Sequence, residues 1–402
     1  MKSFYYNYPQ DISIANVWIK GGSSQEKIEK KGINQILIAL LTRGCKGYTN
    51  YSFSDALDSY GAELNYEACE DGISLCLKSL SEYFNELYPL LILILEEPNL
   101  HENEFNQCKR LALNSVIKLK ENLYNITFEN LKKIIFSDQS YKFGCMGNEE
   151  SINKITYKNL LDEYTNFKSR RKFLITNYKL NNLIDLNYLK FENKNLERLD
   201  ILNHVDSESF ICHYTNSKQI ILMIGNQTCP HGSKDHLPLK ILESYLSFGM
   251  SSLLFRIFRE KNGLTYDSGV IYPTKELNAP FLIYLSFSEK NASEAFEMIS
   301  KIWRDLISKS ISNDEIHLAK IKLKSSILHD YQSLESITTR KVKLLGLKLN
   351  PFYDEDSIKE IDNITSEEVL RVSKKYFKKL YISLSGNRTI CRRLIDTWNK
   401  NF

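Results

Sequence analysis

Arg259 and Tyr266 stand seven residues apart on either side of Asn262-Gly263, and no other pair in the sequence looks better equipped for chemistry. Arginine offers a rigid, charged fork of donors and tyrosine a directional hydroxyl, the kind of preorganised groups that stabilise developing negative charge. Asn262-Gly263 reads as a helix stop, because glycine accepts the left-handed backbone just past a helix end. The turn then sends Tyr266 into a strand beside the helix that carries Arg259. A plainer arrangement uses the same residues: Arg259 paired with Glu260 or another acid on a solvated helix face, and Tyr266 buried in a strand.

Metal-ligating candidates are sparse. His231 and His236 flank Asp235 in a turn-rich loop, where histidines usually face solvent or cap a helix. His317 and His329 lie twelve apart in a helical pattern with no third ligand at a useful spacing. Neither group makes a zinc set, so no cofactor is expected in this chain. The eight cysteines never occur as C-x-x-C or in a ribbon spacing, and most sit in apolar runs. They read as buried free thiols of a reducing compartment.

The elements that must position Arg259 and Tyr266 occur twice. Thr156 and Thr365 each follow an isoleucine, precede a helical apolar pattern as an N-cap, and lead through a basic patch into a strand. Upstream, each half has an apolar helix ending in a glycine (Gly44, Gly249), a serine-started helix, and a glycine turn into a strand (Gly61, Gly263). These features keep one order at offsets of 202 to 209 residues. The expected organisation is two homologous domains, 1–185 and 210–402, joined by a linker at 186–209. Residues 62–70 and 73–80 alternate with period two around Asp71-Gly72, a hairpin signal. Ala295, Phe296, Ile299, Ile302, Trp303 and Leu306 recur at three and four, one face of an amphipathic helix. Hairpins among long helices predict an α+β fold in which each domain is a largely antiparallel sheet with helices on one face.

At 402 residues with 43% hydrophobic side chains, the chain has ample volume for two packed cores. Fifty-three basic against 49 acidic side chains leave +4, scattered without a basic stripe, which argues against nucleic-acid binding. The apolar run at 90–95 is far short of the roughly 18 residues of a membrane span, and residues 1–7 run straight into strand-like sequence. A cytoplasmic chain without membrane attachment is the expectation.

On this architecture the sequence resembles the pitrilysin and insulinase clan of inverzincin zinc peptidases, and most closely its mitochondrial-processing-peptidase-like branch. The resemblance covers nearly the whole chain. It rests on the strand and Gly-Ser turn at 17–26, on Gly147-Asn148-Glu149-Glu150-Ser151-Ile152, and above all on Phe248-Gly249-Met250-Ser251-Ser252 followed by Arg259 and Tyr266. Active members carry H-x-x-E-H on their first long helix, two imidazoles one turn apart, with a further glutamate from a later helix. Counted back from Gly44, those positions are Gln35, Ile38 and Ala39, and the later window at 113–117 has no carboxylate. An amide is a poor zinc ligand and Ile and Ala supply no donor, so this chain alone is expected not to hydrolyse peptides.

The resemblance implies two domains enclosing a cavity, with Arg259 and Tyr266 reaching across it to bind substrate and steady the oxyanion. Some short members of the clan are heterodimers that divide zinc motif and Arg/Tyr pair between subunits. The chain is therefore expected to be the non-zinc subunit, inactive alone, binding unfolded peptide beside a homologous partner that carries the zinc motif. The competing expectation is a non-enzymatic scaffold or peptide-binding protein of the same fold, which would have no need of Arg259 and Tyr266.

Overall fold

A computed structural model describes residues 1–136, 140–188 and 209–401. The first half builds strands β1 (Lys2–Tyr5), β2 (Ile12–Lys20), β3 (Glu63–Ala68), β4 (Gly72–Leu80), β5 (Lys172–Thr176) and β6 (Ile184–Asp185). Its helices are α1 (Ile33–Leu41), α2 (Asn50–Asp58), α3 (Phe84–Glu96), α4 (Glu102–Leu119), α5 (Leu123–Ile135), α6 (Glu149–Lys154) and α7 (Tyr157–Ser169). The second half builds β7 (Phe210–Tyr214), β8 (Gln219–Gln227), β9 (Thr265–Ile271), β10 (Pro280–Ser288) and β11 (Tyr381–Gly386). With them come α8 (His236–Ser247), α9 (Ala292–Ser308), α10 (Asn313–Asp330), α11 (Leu334–Gly346), α12 (Tyr353–Glu360), α13 (Ser366–Tyr376) and α14 (Arg388–Asn401). Most of the expected linker at 186–209 lies outside the described residues.

The duplication is visible in the strand order. One sheet runs β3-β4-β2-β5-β1-β6 and the other β9-β10-β8-β11-β7, so five positions correspond one to one. Both are antiparallel except at one end, where β1 runs parallel to β5 and to β6, and β7 runs parallel to β11. The expected hairpin forms as β3 and β4, registered from Glu63 opposite Lys78 to Ala68 opposite Ile73. The two threonine caps form as well: Thr156 accepts from the Asn159 amide and Thr365 from the Glu368 amide, each within a capping box. All four glycines of the repeat sit at positive φ: Gly44 at 110°, Gly61 at 59°, Gly249 at 73° and Gly263 at 57°. A side chain there would be strained, and so glycine marks both copies of the turn.

The chain folds into two compact units that do not each take one uninterrupted half. The first unit contains Met1–Lys118, the segment from α6 to β6, and Asp330–Tyr353; the second contains α5, the chain from β7 to His329, and Asp354 onward. Helix α5 thus belongs with the second sheet and α11 with the first. The two are equivalent members of the repeat, and both open Leu-x-x-Ile-Thr, at Leu123-Ile126-Thr127 and Leu334-Ile337-Thr338.

In the first unit Ala15, Val17 and Ile19 of β2 and Ile73, Leu75 and Leu77 of β4 face one way, against Ile36 and Leu37 of α1 and Leu87, Leu91 and Ile94 of α3. The period of two in β2 turns Asn16 and Trp18 to the opposite face. There Trp18 and Ile175 pack on Val342 and Leu345 of α11, and Asn16 Nδ2 donates to Thr338 Oγ1 at 2.5 Å. In the second unit Leu222 and Ile224 of β8 and Phe281, Ile283 and Leu285 of β10 pack on Ile299 and Trp303 of α9. Every residue of the α9 face read from the sequence is buried. The reverse face receives α5, where Thr127 Oγ1 donates to Leu123 O at 2.6 Å and lies 2.7 Å from Ser385 Oγ on β11. Both threonines are fully buried, so each hydroxyl supplies a polar partner to a sheet residue that water cannot reach.

Trp18 sits between Gly72 of β4 and Gly346 at the end of α11, and a Cβ on either glycine would fall inside the indole's van der Waals shell. Helix propensity alone favours alanine over glycine by about 1 kcal/mol. The packing sets the opposite sign: Gly346→Ala is expected to destabilise by about 1–3 kcal/mol through overpacking, read as a fall in denaturant midpoint at unchanged m-value.

Candidate functional site

Arg259 lies in a seven-residue π-helical segment, Phe255–Lys261, a wide turn that is rare and concentrated at functional sites. Phe258 anchors this segment in the core with no exposure, and its carbonyl accepts from Leu264 N at 2.7 Å. Gly263 N donates to Arg259 O at 3.2 Å, and Asn262 Nδ2 to Ile257 O at 2.8 Å. Those bonds close the helix end and release the chain into β9, the outer strand of its sheet. Arg259 itself is exposed, its guanidinium 5.1 Å from the centre of the Phe255 ring.

Tyr266 is not a core residue. Thr265 lies opposite Phe287 and Asp267 opposite Ser286, so Tyr266 has no partner of its own on β10 and forms a β-bulge. Bulges re-aim a side chain, and this one leaves Tyr266 87% exposed. The corresponding strand of the first unit, β3, pairs with β4 without a shift. The folded chain therefore places both Arg259 and Tyr266 in solvent at the edge of the second unit, joined by one short turn.

The three residues read from the sequence as the metal-motif positions, Gln35, Ile38 and Ala39, lie on α1. Gln35 and Ala39, one turn apart, are half-buried, and Ile38 is fully buried. The start of α1 is held by Glu26, whose two carboxylate oxygens accept from Gly32 N at 2.8 Å, Asn34 N at 2.9 Å and Asn34 Nδ2 at 2.8 Å. Burial pushes the Glu26 carboxyl up despite these bonds. Arg170 follows α7 and braces the same corner, donating to Gly21 O and Asn34 Oδ1, each at 2.8 Å, and pairing with Glu163. Just beyond α1, Arg43 lies 3.7 Å from Glu104 of α4, with Cys108 one turn further along that helix. A fixed cation thus links the two helices on which the family's ligands would lie. Among the described residues no three His, Cys, Asp or Glu side chains are gathered as a metal would require, and Gln35, Ile38 and Ala39 do not fit zinc.

The loop histidines differ from expectation. His231 and His236 are both buried, with ring centres 3.9 Å apart and His236 Nδ1 3.1 Å from the Tyr272 hydroxyl. Asp235 between them has no exposure and accepts from Arg371 Nη2 at 2.7 Å, Lys375 Nζ at 2.7 Å and Tyr376 Oη at 2.8 Å. Burial alone would raise its carboxyl, but the three donors on α13 hold it below the usual carboxylate range. This cluster fixes the start of α8, and α8 leads directly to the turn that carries Arg259. The loop is drawn inward because its acid must meet its cations, a pairing between residues more than 130 apart that no local pattern announces.

Residues 4–149 match the family profile described as insulinase (peptidase family M16), and residues 181–323 match the one described as peptidase M16 inactive domain. A Rickettsia felis protein called an uncharacterized zinc protease is 22% identical over 395 residues, covering 94% of this chain and 93% of that protein. A Helicobacter pylori protein called the non-peptidase homolog YmxG is 22% identical over 376 residues, covering 90% and 86%. Among solved structures, a peptidase M16 inactive domain from Pseudomonas fluorescens superposes with a TM-score of 0.82 at 18% identity, covering 96% of this chain and 94% of that one. No helix among the described residues is long and apolar enough to cross a membrane.

Because the native carboxyl of Asp235 is depressed, its stabilisation is complete above the unfolded-state value of about 3.9 and is lost as pH falls through the lower folded value. Asp235→Asn leaves two partly exposed cations around a neutral group and is expected to cost about 1–3 kcal/mol at pH 7. Thermal melts between pH 7 and pH 3 check both statements: the wild type loses stability below about pH 4, and the variant loses less over that interval.

Proposed function

The chain belongs to the peptidase M16 family, and from that premise we propose that it is the non-zinc subunit of a two-chain zinc metallopeptidase. In this reading it binds unfolded peptide and lends Arg259 and Tyr266 to the active site of a homologous partner that carries the zinc motif. The observation that carries the reading is the contrast within one chain. The ligand positions hold Gln35, Ile38 and Ala39, while Tyr266 is raised on a bulge with Arg259 beside it, both in solvent. A side chain 87% exposed, raised on a bulge without a cross-strand partner, contributes little to the stability of its own chain, and its hydroxyl is free to meet a ligand. A homologue named a non-peptidase is consistent with the lost ligands.

Zinc and the attacking water would belong to the partner. The contribution of this chain is directional: the Arg259 fork holds the peptide carbonyl region as a charged donor, and the Tyr266 hydroxyl donates to oxygen as negative charge grows on it. Arg259 rests on the Phe255 ring, which limits its rotamers before substrate arrives. The eight free cysteines suit a reducing cytoplasm. A scaffold of the same fold would gain nothing from this pair, so the two readings separate on Arg259.

The test combines this chain with a homologue bearing H-x-x-E-H and follows peptide cleavage and zinc content. Cleavage is expected only in the mixture, with stoichiometric zinc in the homologue and not in this chain. In the mixture Arg259→Ala should lower kcat by about 10²–10³-fold, as loss of an oxyanion donor does, and Tyr266→Phe should lower it by a smaller factor. Full activity with Arg259→Ala, or no complex between the chains, would sink the proposal.

A further inference from the structure

We propose that Cys212 and Cys391 form a peroxide-responsive thiol pair, and that its oxidation to a disulfide ties helix α14 to the outer strand β7. Two contacts bring β7 and the start of α14 together around these residues. Tyr214 and Cys212 are two apart in β7 and share a face of the strand, while Arg388 and Cys391 are three apart at the start of α14 and share a face of the helix. Arg388 lies over the Tyr214 ring, Cζ 5.5 Å from its centre, and so aligns the two faces. One helical turn further on, Cys391 is fully buried in the apolar cluster against which Cys212 packs.

The position of α14 is set locally. Asn387 Oδ1 accepts from Thr389 N at 2.9 Å, and Asn387 O accepts from Cys391 N at 2.9 Å. β7 is the outer strand of its sheet and Cys212 is half-buried, so a molecule as small as peroxide reaches its sulfur more readily than that of Cys391. The thiols are also unequal. The neighbouring Cys391 thiol holds the Cys212 thiol below its ordinary value, with help from Tyr214 and against burial, while Cys391 is raised. Cys212 is accordingly the attacking sulfur and Cys391 the resolving one.

The steps balance. The Cys212 thiolate attacks one oxygen of hydrogen peroxide, forming an S–O bond and breaking O–O; hydroxide leaves and is protonated to water. The Cys391 sulfur, giving up its proton, then attacks the sulfenic sulfur, forming S–S and releasing the oxygen as a second water. Two electrons pass from the thiols to peroxide, and a dithiol reductant reverses the result.

Exposure of the full-length chain to stoichiometric hydrogen peroxide, followed by proteolysis and mass spectrometry, tests this. The expected product is a Cys212–Cys391 linked peptide pair, two hydrogens lighter and released by dithiothreitol. In Cys391→Ser, Cys212 should instead be trapped as its sulfenic acid by dimedone, and Cys212→Ser should give neither product. Recovery of the Cys212 and Cys391 peptides unlinked from the wild type, while other cysteines oxidise, would overturn the proposal whatever the variants do.

Discussion

The central strands of each sheet, β2 in the first and β8 and β11 in the second, are buried on both faces, so both faces must be covered. A strand such as β2, buried along nearly its whole length, cannot leave Trp18 or Asn16 facing solvent while Val17 and Ile19 face the helices. The repeat meets the requirement by exchange: α11 covers the reverse face of the first sheet and α5 that of the second. Thr338 and Thr127, at the same place in the two helices, supply the polar partners that buried sheet residues need. Trp18 fits under α11 because Gly346 has no side chain to exclude it. Each sheet therefore gains its second core layer from the other half of the chain.

The candidate site inherits its precision from that packed body. Phe258 and Leu264 are buried on either side of a turn whose tip is exposed, so a rigid interior carries Arg259 and Tyr266 on a short, hydrogen-bonded connection. The bulge at Tyr266 forfeits a place in the ladder with β10 in exchange for exposure of the ring. On the opposite side of α8, the buried Asp235 cluster sets where the helix begins. Its counterpart on α1 is the Glu26, Asn34 and Arg170 corner. One corner thus fixes the start of α1, which carries Gln35, Ile38 and Ala39, and the other fixes the start of α8, ahead of the turn that exposes Arg259 and Tyr266.

Much of this was legible in the residues. The hairpin around Asp71-Gly72, the α9 face, the threonine caps and the four positive-φ glycines are encoded by neighbours within one or two turns, and all four appear in the structure. That the sequence contains no H-x-x-E-H is a matter of residue identity and needed no coordinates. The loop histidines misled because burial depends on distant residues: Arg371, Lys375 and Tyr376 meet Asp235 only after α13 packs beside α8. The order of elements along the chain was equally silent on the exchange of α5 and α11, since either helix suits either sheet by pattern alone.

The sequence by itself determined the duplicated α+β plan, the family resemblance and the loss of the metal motif, because periodicity, turn glycines and ligand identity are local properties. Tertiary structure alone decided that Tyr266 stands out on a bulge, that Asp235 is a buried anchor, and that equivalent helices change places between units. Those outcomes depend on register between strands, on desolvation and on contact between residues far apart in the chain, none of which a short stretch of residues can express.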